Sequence, residues 1–147
     1  MTDADAPAGL VLGGGSLLNQ VGRELTTTTE RLLAPLGLTS QQAALLLHAS
    51  RGDAPGPSAL RAALGTDTAG MTRLLDRLED KGLLRRVRHP SDRRAVVIEL
   101  TDAGRALLPR IPPVFGQVSR QVFAGFSASE VGVMTAMLQR MLTNLTA

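Results

Sequence analysis

The sequence predicts a mainly α-helical chain carrying one small β-hairpin, and three observations lead there. Apolar residues recur at helical spacing through most of the 147 positions. Glycine and proline punctuate those runs at intervals suited to short helices. One stretch, RRVRHPSDRRAVVIEL at 85–100, breaks the pattern: two β-prone runs flank a Pro-Ser turn, with five arginines around one aspartate.

The elements follow in order. Residues 1–15 have no basic region before their short apolar patch, so no secretory signal is expected, and they read as a flexible lead-in. Gly13, Gly14, Gly15 and Ser16 lack the ending of a phosphate loop and follow no strand. Leu18, Val21, Leu25, Leu32 and Leu36 keep a helical period over 16–36, crossed by a threonine run at 26–29 and ended by Gly37. Thr39 with Gln42 makes a capping box for a second helix, closed by Gly52. After a DAPGP loop, Pro57 or Ser58 opens a short third helix that stops at Gly65.

The fourth helix, about 67–81, puts Met71, Leu74, Leu75 and Leu78 on one face and Thr68, Thr72, Arg73, Asp76 and Arg77 on the other. Two helices joined by a tight Gly-Thr turn, the second with small polar and arginine side chains on its free face, make a helix-turn-helix layout. The runs at 84–87 and 95–100, with Val96, Ile98 and Leu100 at period two, then form a hairpin wing joined by HPSD, Pro90 taking the second turn position. Its apolar strands anchor it, and its arginines ride at the tip within reach of phosphates or a narrow minor groove. Asp92 is expected to pair with Arg94 and hold the turn so that Arg93 projects.

Charge agrees with this layout. The chain carries only +3, but residues 73–94 hold eight basic residues against four acidic ones, a surplus of four that leaves the remainder at −1. A local basic stripe on a near-neutral body is the footprint of a polyanion binder. Pairs along a solvated helix face account for Asp76, Glu79, Asp80 and Lys81, whereas the arginines at 85–94 have only Asp92 for company.

Other classes find little support. With no cysteine there is no disulfide, thiolate nucleophile or thiol switch. His48 and His89 lack metal-ligand spacing, and Ser58, Ser91 and Ser119 have no triad logic, so neither an enzyme nor a metal or other cofactor is expected. His48, inside an apolar helix, is a weak candidate for contacting a small-molecule effector. No window is apolar and long enough to span a membrane, and a cytoplasmic location is expected.

The stretch DRLEDKGLLRRVRHPSDRRAVVIELTDAG resembles the winged-helix signature of the multiple antibiotic resistance regulator (MarR) family, in which a DRLE-x-x-GL helix end runs into a D-x-R-R wing and then L-T-x-x-G. The resemblance implies a homodimeric, ligand-responsive transcription regulator, with the first, fifth and sixth helices forming the dimer interface. His89-Pro90 stands where the family commonly has Asp-Pro, which makes this wing more basic and slightly pH-sensitive. Pro109, Pro112 and Pro113 fall inside what the family builds as one long helix, predicting a break or strong bend between about 108 and 114, or two shorter helices meeting there.

The last helix begins at Ser127 with a second capping box through Glu130, and Val131, Met134, Met137, Leu138, Met141, Leu142 and Leu145 give it a broad apolar stripe suited to burial against a partner. The reading is therefore a winged helix-turn-helix lobe over 37–101 and a helical dimerisation region over 16–36 and 102–147. Its activity is that of a DNA-binding repressor on a pseudo-palindromic duplex, released by an effector. Ser58, Thr68, Thr72, Arg73, Arg77, Arg86, Arg88, Arg93 and Arg94 are the candidate DNA contacts, with Asp92 orienting the wing. The alternative is a winged helix used for protein contacts without a specific DNA site.

Overall fold

The computed structural model describes residues 16–51 and 55–147. The glycine run ahead of Ser16, Gly52 and the lead-in at 1–15 lie outside the described residues. Helix α1 (Leu17–Leu33) starts where the Ser16 hydroxyl accepts the Asn19 backbone N–H at 3.3 Å. Its threonine run stays helical because the hydroxyls bond back along the helix: Thr26 Oγ1 donates to Gly22 O at 3.0 Å and Thr29 Oγ1 to Leu25 O at 2.7 Å. A 3-10 turn (Ala34–Leu36) holding Pro35 tightens the end, and Gly37, at φ 70°, turns the chain in a left-handed conformation.

Helix α2 (Ser40–Ala49) has the expected reciprocal capping box between Thr39 and Gln42. It closes on Ser50, earlier than the expected Gly52: the next N–H, of Arg51, turns to His48 O at 3.2 Å, and the Ser50 hydroxyl donates to Leu47 O at 2.7 Å. Helix α3 (Pro57–Leu64) carries Pro57 in its first turn, where no N–H is needed, and stops at Gly65, φ 64°. Helix α4 (Thr68–Asp80) is capped by Asp67. Strands β1 (Leu84–Arg88) and β2 (Val96–Leu100) pair antiparallel, with Leu84 opposite Leu100 and Arg88 opposite Val96.

Beyond the hairpin come α5 (Asp102–Leu107), a 3-10 turn (Leu108–Arg110), α6 (Ile111–Val122) and α7 (Ala128–Thr146). The three prolines thus divide the expected fifth helix into shorter pieces without leaving helical backbone: Leu107, Arg110 and Ile111 all keep right-handed angles. Pro109 sits in the 3-10 turn, and Pro112 and Pro113 sit in the first turn of α6, where their missing N–H groups cost little.

One core joins these elements. Leu45 and Leu46 of α2, Leu60 of α3, Met71, Leu74, Leu75 and Leu78 of α4, and Leu84, Ile98 and Leu100 of the hairpin are all buried together with Leu33 and Ile111. Leu33 ends α1 and Ile111 opens α6, so the long terminal helices are rooted in the same core as the helix-turn-helix unit. A substitution such as Leu78→Ala would cost about 2–5 kcal/mol. Away from that root Val118 is still buried, but Leu17, Val21, Leu25 and Val122 are exposed. Leu17, Val21 and Leu25 of α1 and Val118 and Val122 of α6 line an open cleft of about 390 Å³. None of α7's residues is buried, and Met137, Leu138, Leu142 and Leu145 of its predicted stripe are exposed. Among the described residues no helix is long and apolar enough to cross a membrane.

Candidate nucleic-acid interface

Helix α4 is seated by its apolar side. Met71, Leu74, Leu75 and Leu78 recur at helical spacing and all are buried, which fixes the opposite face outward. Its start is fixed by the Asp67 carboxylate, which accepts the Gly70 N–H at 2.6 Å. A Cβ at Gly70 would fall 2.4 Å from the Thr66 hydroxyl and 2.9 Å from the capping Asp67 oxygen, so a side chain there would make both side chains shift. Thr68, Thr72, Arg73 and Arg77 face solvent as the sequence predicted. Thr72 spends its hydroxyl proton on Thr68 O at 3.0 Å, leaving its oxygen as an acceptor. Neither Arg73 nor Arg77 forms an ion pair among the described residues.

Ser58 is exposed in the first turn of α3. It shares a small cleft of about 230 Å³ with Arg61, Thr68, Thr72, Arg86 and Val96. Sequence reasoning passed over Arg61, whose guanidinium donates to the Thr68 hydroxyl and so ties α3 to the first residue of α4. Its signal was modest: the one cation in an otherwise apolar PSALRAAL helix.

The wing differs from expectation in three ways. First, its hydrogen-bonded turn spans 92–95, the Ala95 N–H reaching Asp92 O at 3.1 Å, instead of centring on Pro90. His89 Nδ1 accepts the Ser91 N–H at 3.1 Å on the approach. Second, Asp92 braces the turn through the backbone: its Oδ1 accepts the Arg94 N–H at 3.0 Å, and among the described residues it forms no ion pair with the Arg94 guanidinium. The brace is therefore an Asx turn laid over the 92–95 backbone turn, whose two central positions are Arg93 and Arg94.

Third, two arginines are already neutralised. Arg85 pairs with Glu99, the residue directly opposite across the hairpin, at 2.9 Å. Arg86 meets Asp76 at 2.5 Å and Glu79 at 3.3 Å, and its N–H also donates to Glu79 at 3.0 Å. The hydrogen bond from the Arg86 side chain holds the Glu79 carboxyl below its ordinary range, while those to Asp76 and then Glu79 raise Arg86's own value. Arg86 thus clamps β1 to α4, so its charge is already partnered by two carboxylates. That leaves Arg88, Arg93 and Arg94 exposed and without ion pairs among the described residues.

Lys81 likewise leaves the helix-face pairing expected of it. Its ammonium donates to Gly37 O at 2.6 Å and to Gln42 Oε1 at 2.8 Å, stitching the end of α4 to the corner between α1 and α2. His48 is half-buried in α2 and lines neither the α1–α6 cleft nor the cleft at Ser58.

The sequence profile of the MarR family matches residues 38–96, from just before α2 to the first residue of β2. The HTH-type transcriptional regulator PecS of Dickeya dadantii (strain 3937) is 32% identical over 146 residues, covering 97% of this chain and 86% of PecS. The chain belongs to the MarR family. Within that family it superposes on a mutant of MarR from Escherichia coli complexed with operator DNA, with a TM-score of 0.81 at 27% identity over 94% of this chain and 99% of that one. It is also similar to Bordetella bronchiseptica BpsR, solved in a study of regulation of its DNA binding by 6-hydroxynicotinic acid, with a TM-score of 0.80 at 25% identity over 92% and 97% of the two chains. This MarR-family chain is a DNA-binding transcription regulator built on a winged helix-turn-helix.

Proposed function

We propose that the chain acts as a homodimeric repressor of a pseudo-palindromic operator, released by a small molecule. Residues 37–101 serve as the DNA-binding lobe, and 16–36 with 102–147 as the dimerisation region. The observation that carries the reading is the sorting of arginines. Arg85 and Arg86 are consumed by carboxylates, whereas Arg73 and Arg77 on α4 and Arg88, Arg93 and Arg94 on the wing stand exposed without one. A structural surface would gain nothing from five uncompensated cations on two adjacent elements, but a phosphate backbone neutralises them.

In this reading α4 enters the major groove with Thr68, Thr72, Arg73 and Arg77 near base edges and phosphates. Ser58 touches the backbone, and Arg88, Arg93 and Arg94 engage the flanking minor groove. The exposed apolar residues of α1, α6 and α7 favour a second copy of the chain as their cover, which sets two lobes on half-sites about one turn, roughly 10 base pairs, apart. An effector acting on the joint between dimer helices and lobe would alter that spacing; a small molecule as the effector is supported by the regulation of BpsR's DNA binding by 6-hydroxynicotinic acid. No reaction is assigned to the chain, and a regulator of this kind works on DNA in the cytoplasm.

The test is selection of genomic fragments by the purified protein followed by footprinting. Protection of an inverted repeat on one face of the duplex is expected. Retention of fragments in proportion to their abundance, without a protected repeat, would overturn the reading.

A further inference from the structure

The strands of the wing and the end of α4 meet the helix that follows them at one tight seat. Helix α4 finishes in a paired cap: with Gly82 at φ 72°, the Gly82 N–H bonds to Glu79 O at 2.9 Å and the Leu83 N–H to Leu78 O at 3.0 Å. The two carbonyls just past this cap are then both taken by the start of α5. Thr101 donates its hydroxyl to Gly82 O at 2.6 Å and its N–H to Leu83 O at 3.1 Å. Arg105 donates to Leu100 O at 2.8 Å, fastening α5 to the last residue of β2.

Gly104 closes the seat. A Cβ at this buried position would lie 2.0 Å from the Leu83 carbonyl oxygen, and backbone, not a flexible side-chain end, is the obstacle. The missing side chain lets α5 rest directly on the residue that terminates the recognition helix. Any larger residue must drive α5 and the α4 end apart by about 1 Å.

We propose that Gly104 is a positioning residue for operator choice: its contact with Leu83 sets the angle between the lobe and the terminal helices, and hence the half-site spacing the dimer accepts. The α5 start is the point where the chain leaves the lobe for the helices proposed to pair with a second copy. A displacement there shifts both recognition helices in a dimer, in symmetry-related directions. The residues that face bases are untouched, so the half-site sequence preferred should not change. This inference rests on the operator-binding dimer proposed above.

The full-length protein, with Gly104→Ala and Thr101→Val variants, would select from a duplex library of random half-sites separated by a graded series of spacers. Thr101→Val removes the hydroxyl that donates to Gly82 O and accepts the Gly104 N–H at the start of α5, loosening the same seat without adding bulk, so it keeps the test decisive should the alanine variant fold poorly. The unaltered chain is expected to enrich one spacing. Gly104→Ala should enrich the same half-site bases at a changed spacing, losing about tenfold on the original, the cost of one poorly met base pair. Thr101→Val should broaden the spacing optimum.

Variants that keep the original optimum while weakening equally on every spacer would overturn the proposal, since that is what a merely structural role predicts. Failure of the unaltered chain to enrich any paired half-sites would instead strike the dimer–operator reading and take this one with it.

Discussion

Asp92→Asn and Asp92→Ala remove the same negative charge from the wing, but only the amide keeps an oxygen where Oδ1 accepts the Arg94 N–H at 3.0 Å. Comparing the two therefore cancels the charge and isolates the brace. A hydrogen bond of this kind is worth about 1 kcal/mol net, so a dimer with two wings stands to lose about 2 kcal/mol of binding, roughly 30-fold in Kd. We expect Asp92→Asn to bind as tightly as the unaltered protein or tighter, because a carboxylate near phosphates is lost. Asp92→Ala should be the weaker of the two by about that factor. Anisotropy titrations on one operator at several salt concentrations measure both, and the salt slopes of the two variants should coincide. Equal affinities for Asn and Ala would refute the backbone brace and reduce Asp92 to its charge.

Other expectations are simpler to state. Arg93→Ala should weaken specific and random duplexes alike and lower the salt slope by about one per subunit, whereas Arg73→Ala or Arg77→Ala should cost about 1–3 kcal/mol on the preferred operator and far less on random DNA. Titrations of both duplexes with each variant decide. Arg86→Met should destabilise the lobe at neutral pH. Because Arg86 depresses the Glu79 carboxyl in the folded state, the stability from that pair is fully present above the unfolded value near 4.5 and fades as pH falls through the lower folded one. Urea midpoints of the unaltered and Arg86→Met proteins should thus converge in acid, and a constant gap would refute the clamp. Leu142→Asp, at an apolar position 62% exposed on α7, should shift the protein to monomer in sedimentation and abolish tight operator binding.

The parts of the fold that were legible in sequence are those set by near neighbours. The Thr39–Gln42 and Ser127–Glu130 capping boxes, the glycine stops at 37 and 65, and the buried face of α4 all depend on residues within a turn or two. What escaped depends on chain reversal. Arg86 reaches Asp76 and Glu79 only because β1 folds back along α4, and Arg85 finds Glu99 only through the strand register. Lys81 crosses 44 positions to Gly37, a pairing no local period announces. The wing turn was misplaced by a smaller margin: proline is a strong turn former, but the aspartate that can fold its side chain onto the backbone two residues on captured the hydrogen-bonded turn instead. The same reversals thinned the free arginine cluster that the sequence displayed, removing Arg85 and Arg86 and leaving the tip.

The Lys81 stitch has a practical side. It is the chain's sole lysine, and it is exposed. Amine-directed dyes, biotin esters or coupling to a sensor surface therefore have a single side-chain target. Acylation there would erase the charge and leave one N–H to serve two acceptors, Gly37 O and Gln42 Oε1. A protein labelled this way would report operator binding with its recognition helix already loosened from the α1–α2 corner. The absence of cysteine offers the remedy, since one cysteine introduced on an exposed polar position such as Gln139 of α7 would be a unique handle remote in sequence from both lobe and wing.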